Sequence, residues 1–161
     1  MINKAALIAK SENVTGRTLK LVKIAALTHD IGHTVQRQNH EEIGCQLVKK
    51  ELPNFGITTS EIDQICSMIM ATKIPQSPQN RLDTIVADAD LSYLGTPQFI
   101  NQSALLFKEM NHFNNKLLIE EWDMIQIDFI GKHHYHTRFC IEHYEALKLR
   151  HLLKLKKKYG V

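Results

Sequence analysis

Residues 17–31 are apolar nearly all round at helical spacing, and the run then stops on two adjacent polar side chains, His29 and Asp30. Leu19, Val22 and Ala26 lead along one face into His29, Asp30 and His33, while Leu21, Ile24, Ala25, Leu27 and Ile31 extend the apolar surface sideways. A helix of this kind belongs in the centre of a bundle rather than on its outside. His29 and Asp30 are then expected at the inner end of a buried helix, where an unpaired carboxylate is costly and a bound cation removes the cost.

The rest of the chain supplies helices to pack around that run. Residues 2–12 read as the tail of a helix that starts without a capping residue, as if an earlier part were absent. Asn39 is placed to cap the next helix, with Glu42 closing a capping box and Ile43, Leu47 and Val48 on its buried side; Leu52-Pro53-Asn54-Phe55-Gly56 ends it. Thr58 and Glu61 repeat the start signal before a stripe of Ile62, Ile65, Cys66, Ile69 and Met70, which stops at Thr72-Lys73 ahead of a Pro75–Pro78 loop. A helix from Asn80 delivers Asp88 and Asp90, and Thr96-Pro97 opens another. Helical spacing continues over residues 105–114, 117–131 and 136–157. Nowhere does a useful β alternation appear, so the reading is all-α: one bundle of six to eight helices over residues 1–161, with a core at about 1–95 and C-terminal helices at about 97–158.

Length and charge narrow the functional classes. A chain of 161 residues buries roughly two-thirds of its unfolded surface, so stability alone does not call for a structural metal. Cys45, Cys66 and Cys140 are odd in number and far apart, which argues against a disulfide framework or a CxxC zinc site and for small core residues in a reducing cytoplasm. The first fifteen residues do not read as the charged start and long apolar core of a signal peptide, and no apolar run approaches the roughly 18 residues that span a bilayer. Six of the 20 basic residues, Lys148, Arg150, Lys154, Lys156, Lys157 and Lys158, cluster near the C-terminus, leaving 14 basic against 17 acidic elsewhere. The preferred reading is a solvated helix end whose cations suit the helix dipole. A nucleic-acid or membrane surface is the alternative, weakened by the lack of aromatic interleaving.

The side chains able to do chemistry are His29-Asp30, His33 one turn on, His40 at a helix start, and Asp88 and Asp90 at the end of a distant helix. Imidazole with carboxylate is a ligand set for Zn, Mn, Fe, Co or Ni rather than for Ca. A mixed site with open positions polarises a phosphoryl oxygen and acidifies a bound water. His133, His134 and His136 are the densest histidine cluster, but two histidines on one helix are half a metal site; Tyr135 is expected to pack inward with the histidines at the rim.

Ala25-Ala26-Leu27-Thr28-His29-Asp30-Ile31-Gly32-His33, then Asn39-His40-Glu41-Glu42-Ile43-Gly44, then Asp88-Ala89-Asp90-Leu91 together resemble the HD superfamily of metal-dependent phosphohydrolases, nearest to its bacterial HD-domain proteins. The resemblance runs from residue 1 to at least 95, and Phe129-Ile130 with His133, Tyr135 and Thr137 is similar to the C-terminal helix region of the same group. It implies a helical bundle holding a divalent ion (Mn, Co, Ni, Fe, Zn or Mg) on His29, Asp30 and Asp90, with Asp88 and His40 as secondary candidates. It further implies hydrolysis of a nucleotide or other small phosphate ester by metal-activated water. Asp30, His33 and Lys73 are read as the catalytic residues, His33 and Lys73 by their placement to meet a phosphate; the alternatives are a polar residue at a helix end for His33 and a lysine suited to the helix dipole for Lys73. The expected partner is a small phosphorylated substrate such as a nucleotide, with no membrane and with nucleic acid disfavoured.

The resemblance has departures. The family's first ligand histidine lies on the helix before the doublet, and no histidine precedes His29 here, so three side chains remain unless the chain begins partway along that helix. His40 matches a second-metal position of the dinuclear cyclic-dinucleotide branch, but that branch's histidine pair is replaced by Ala71-Thr72-Lys73. The competing reading is a catalytically impaired HD domain serving as a nucleotide-sensing or regulatory binding module.

Overall fold

In a computed structural model, which describes residues 1–113 and 116–161, the described residues form eight α-helices and three short 3-10 helices. Among the described residues there is no strand, and the all-α reading stands. Two compact units divide the chain: Met1–Leu91 with His136–Phe139, and Ser92–Tyr135 with Cys140–Val161.

The first unit contains α1 (Ile2–Ser11), α2 (Gly16–Thr28), a 3-10 turn (Ile31–Thr34), α3 (His40–Glu51), a second 3-10 turn (Leu52–Phe55), α4 (Thr59–Met70) and α5 (Arg81–Asp90). Helix α2 packs on α1, α4 and α5, while α3 packs on α4 and on the first 3-10 turn. The core comprises Ile8, Leu21, Val22, Ile65, Met68, Ile69, Ile85 and Val86, all nearly inaccessible. Cys45 and Cys66 are buried thiols in this packing, and Cys140 is likewise buried; none of the three is in a disulfide among the described residues. Thr58 and Glu61 form the expected capping box, and Asn80 accepts from the Leu82 and Asp83 amides to cap α5.

Several local expectations are corrected. Helix α2 stops at Thr28 rather than residue 31, its last turn closed by the Thr28 hydroxyl on the Ile24 carbonyl (2.9 Å). Leu27 is therefore 66% exposed, and the apolar surface of α2 is not buried all round. Asn39 does not cap by its side chain; it takes a left-handed conformation (φ 54°), unlike the extended backbone of an ordinary cap, and Glu42 pairs with Lys73 instead of closing a box. The buried stripe of α3 is Glu41, Gly44, Cys45 and Val48, so Ile43 and Leu47 lie at its margins.

The second unit holds a 3-10 turn (Ser92–Gly95), α6 (Phe99–Phe113), α7 (Ile119–Lys132) and most of α8 (Arg138–Tyr159). The expected helix end at Asn114 lies outside the described residues. Gly95 permits the turn to touch α8: a Cβ there would sit 2.3 Å from the Tyr144 carbonyl oxygen. Tyr135 is buried, as expected. Lys148 does not belong to the solvated cationic end. It is 1% exposed, donates to the His133 carbonyl at 2.7 Å and pairs with Glu145 at 2.9 Å. It lies on the same helix face as buried Tyr144, His151 and Leu152, and that spacing was the sequence signal for its burial.

Candidate metal centre

The end of α2 sets the geometry. His29 is the residue at which the helix stops, and its Nδ1 lies 3.1 Å from the Ala26 carbonyl. With Nδ1–H donating there, Nε2 is left as the free lone pair. That nitrogen faces Asp30 Oδ2 at 3.1 Å and Asp90 Oδ1 at 3.3 Å. Asp90 arrives from the last position of α5, whereas Asp30 is swung out by the change from α-helix to 3-10 turn (φ −100°, ψ 5°).

Lone pairs of one imidazole nitrogen and two carboxylates cannot converge at these distances without a positive charge among them. In the ion-free protein a proton fills the role. Burial pushes the His29 imidazole down, but hydrogen bonds to Asp30 and Asp90 and their negative charges outweigh it and carry the pKa up to about 10. The same hydrogen bond from His29 holds the Asp30 carboxyl below its ordinary value. Donors at about 2.1 Å from one ion lie roughly 3.0–3.4 Å apart, the spacing that His29 Nε2 keeps with Asp30 Oδ2 and with Asp90 Oδ1. The imidazole and the two carboxylates fit such an ion by their chemistry and by those two spacings.

A second group of donors meets the other oxygen of Asp30. Its Oδ1 is 3.5 Å from His40 Nε2 and 3.8 Å from His33 Nε2. One ligand atom from each of Asp30, His33 and His40 falls within 4.8 Å of the other two. The two imidazoles stack, with centroids 3.8 Å apart and planes at 21°. His40 Nδ1 faces the Arg37 carbonyl (3.2 Å) and Glu41 Oε2 (3.4 Å), which again leaves Nε2 as the nitrogen turned toward Asp30. Asp30 thus presents one oxygen to each group and is the residue they share.

Gly32 makes that second group possible. A Cβ on it would lie 1.8 Å from the His40 carbonyl oxygen, so only glycine lets the start of α3 come down on the 3-10 turn and bring His40 against His33.

Other sequence candidates lie elsewhere or are engaged. Asp88 and Asp90 are two residues apart on α5, so at about 100° per residue they point about 160° apart. Asp88 is completely buried and accepts from the His136 amide (2.9 Å), the Thr137 amide (2.7 Å) and the Thr137 hydroxyl (2.6 Å); burial raises its pKa against those bonds. It ties the 136–139 segment to α5 and does not face His29. Lys73 pairs with Glu42, whose carboxylate raises the ammonium pKa and whose own pKa that ammonium lowers. Sequence reasoning missed Glu41, a 6% exposed carboxylate behind His40, and the structural need for Gly32. The i, i+3, i+4, i+7 pattern of Glu41, Gly44, Cys45 and Val48 was the available signal for the first.

No curated protein and no solved structure matches the chain. The family model of the HD domain matches residues 1–92, the stretch that carries His29, Asp30, His33, His40 and Asp90. That match covers more than half of the 161 residues, and the chain belongs to the HD-domain family, a superfamily of metal-dependent phosphohydrolases.

Proposed function

We propose that this protein hydrolyses a phosphate ester, a nucleotide or another small phosphorylated metabolite, with a divalent ion held by His29, Asp30 and Asp90. The observation that carries the reading is the meeting of His29 Nε2 with two carboxylate oxygens at 3.1 and 3.3 Å, while Nδ1 is fixed on the Ala26 carbonyl. When bound, such an ion acts as a Lewis acid toward a phosphoryl oxygen and lowers the pKa of a water.

The protein's own groups orient and neutralise. Asp30 spans both donor groups, turning Oδ2 to the His29 nitrogen and Oδ1 to the His40 nitrogen. His33, with 40% of its side chain exposed, is the most exposed of the three histidines here, placed to hydrogen-bond a phosphate oxygen and steady charge that develops there. Lys73 adds its charge through the ion pair with Glu42 on the helix that carries His40, one step back from the donors. Three unbridged cysteines support a reducing, cytoplasmic setting, and no described helix is long and apolar enough to cross a membrane.

The test is metal analysis and hydrolysis by the full chain loaded with Mn, Co, Ni, Zn or Mg, assayed on phosphomonoesters, phosphodiesters and nucleotides. Hydrolysis that depends on the ion and is lost in Asp30→Ala is expected. A chain that holds an ion and a nucleotide without turning the nucleotide over would be a sensing module instead. A chain that takes up no ion would overturn the reading.

A further inference from the structure

The second half of α8 carries a surface that the metal centre does not use. At about 100° per residue, Lys156, Leu149, Leu153, Lys157, Arg150 and Lys154 follow one another around a sector of about 160° on this helix. Leu153 is 65% exposed and Leu149 45%. The opposite sector holds the buried Lys148, His151 and Leu152. Among the described residues the four cations of the exposed sector have no acidic partner, in contrast to Lys158, which is bound to Asp123 at 2.7 Å. No Asp or Glu occurs after Glu145.

We propose that this face of α8 docks the protein on an anionic lipid surface, lying along it rather than crossing it. The two leucines lie about 20° and 60° in from the Lys156 edge of the sector, with Lys156 on one side and Lys157, Arg150 and Lys154 on the other, an arrangement in which apolar side chains enter the interface while long cationic stems reach back to phosphate headgroups. For a nucleic acid the same leucines would take up part of the contact and give nothing to a phosphate. A second copy of the chain would bring like charges together. Charge segregation also sets the orientation: with these four cations set apart, the remainder of the chain has 16 basic against 17 acidic residues, so the net positive charge that an anionic surface attracts lies on this face of α8. The expectation of a merely solvated helix end is revised by the exposed leucines, which solvation of charge does not require.

The experiment is co-sedimentation of the full chain with phosphatidylcholine vesicles and with mixed phosphatidylcholine–phosphatidylglycerol vesicles. Binding to the mixed vesicles alone is expected, weakening as salt rises. Each cation near such a surface weighs about fivefold in affinity, so Lys154→Ala with Lys157→Ala should weaken binding roughly 25-fold. Leu149→Ser with Leu153→Ser should weaken it at unchanged charge, and a Leu153→Trp probe should shift its fluorescence to the blue on vesicle addition. Every substituted position is exposed, and an unchanged helical circular dichroism signal checks the fold. Absence of binding to the mixed vesicles overturns the proposal. So does binding that the leucine variant retains in full with no shift of the Leu153→Trp probe; if duplex RNA is then bound equally well, the face is a polyanion surface rather than a lipid one.

Discussion

Which nitrogen of His29 carries a proton decides what the site does. The Ala26 carbonyl takes the Nδ1 hydrogen, and the second proton, held between Asp30 and Asp90 to about pH 10, occupies the place an ion would take. Ion binding must therefore displace one proton at every pH below about 10. Affinity for Mn or Zn should rise about tenfold per pH unit across the neutral range, with one proton released per ion, as titration calorimetry in buffers of different ionisation enthalpy would measure. Without the ion the linkage to stability has the opposite sense. A raised imidazole pKa contributes fully below its ordinary 6.5 and is lost as pH rises through about 10. Absence of proton release would mean that the ion does not bind at His29. Gly32→Ala is the steric counterpart: a methyl 1.8 Å from the His40 carbonyl oxygen forces α3 away from the turn. Overpacking of this kind costs about 1–3 kcal/mol, so a lower melting temperature and weaker ion binding are expected together.

Helix ends, more than helix interiors, position the chemistry. His29 ends α2, His40 begins α3 and Asp90 ends α5, so the donors sit where backbone direction changes. This explains what could be read from sequence. Apolar spacing and the Thr58–Glu61 box found the elements, because those signals are local. The swing that exposes Asp30, the left-handed Asn39 and the Glu42–Lys73 pair depend on which helices become neighbours, and no local pattern records that. Asp88 is the clearest case: the adjacent pattern Asp88-Ala89-Asp90 offered two carboxylates, and only the turn of α5 relative to residues 136–137 separated their roles. The start of α4 gives a prediction at this scale. Arg17 and the Thr58 amide hold the Glu61 carboxyl down to about 2. A depressed carboxyl pKa contributes above its ordinary 4.5 and is lost as pH falls through about 2. Glu61→Gln should therefore lower the melting temperature near neutrality and bring it toward that of the parent protein in strong acid, as thermal melts followed by circular dichroism across that range would show.

Over the whole molecule, the candidate centre draws on one unit only. His29, Asp30, His33, His40 and Asp90 all fall within Met1–Leu91, while Ser92–Tyr135 and Cys140–Val161 form a unit of their own. A ligand that binds only the folded state stabilises it by about 2.7 kcal/mol at 100 times its dissociation constant, and the stabilisation reaches only those openings that break the site. In hydrogen exchange of the full chain, saturating Mn should slow the buried amides of α2, α4 and α5 by up to about 100-fold. Amides of α6 and α7 should keep their rates, because the openings that expose them leave the donors in place. Uniform slowing along the chain would mean that both units open as one cooperative body. No slowing of α2 and α5 would mean that the ion does not join the end of α2 to the end of α5, and with that the role of Asp90 would fall, leaving Asp30, His33 and His40 as the candidate donor cluster among the described residues.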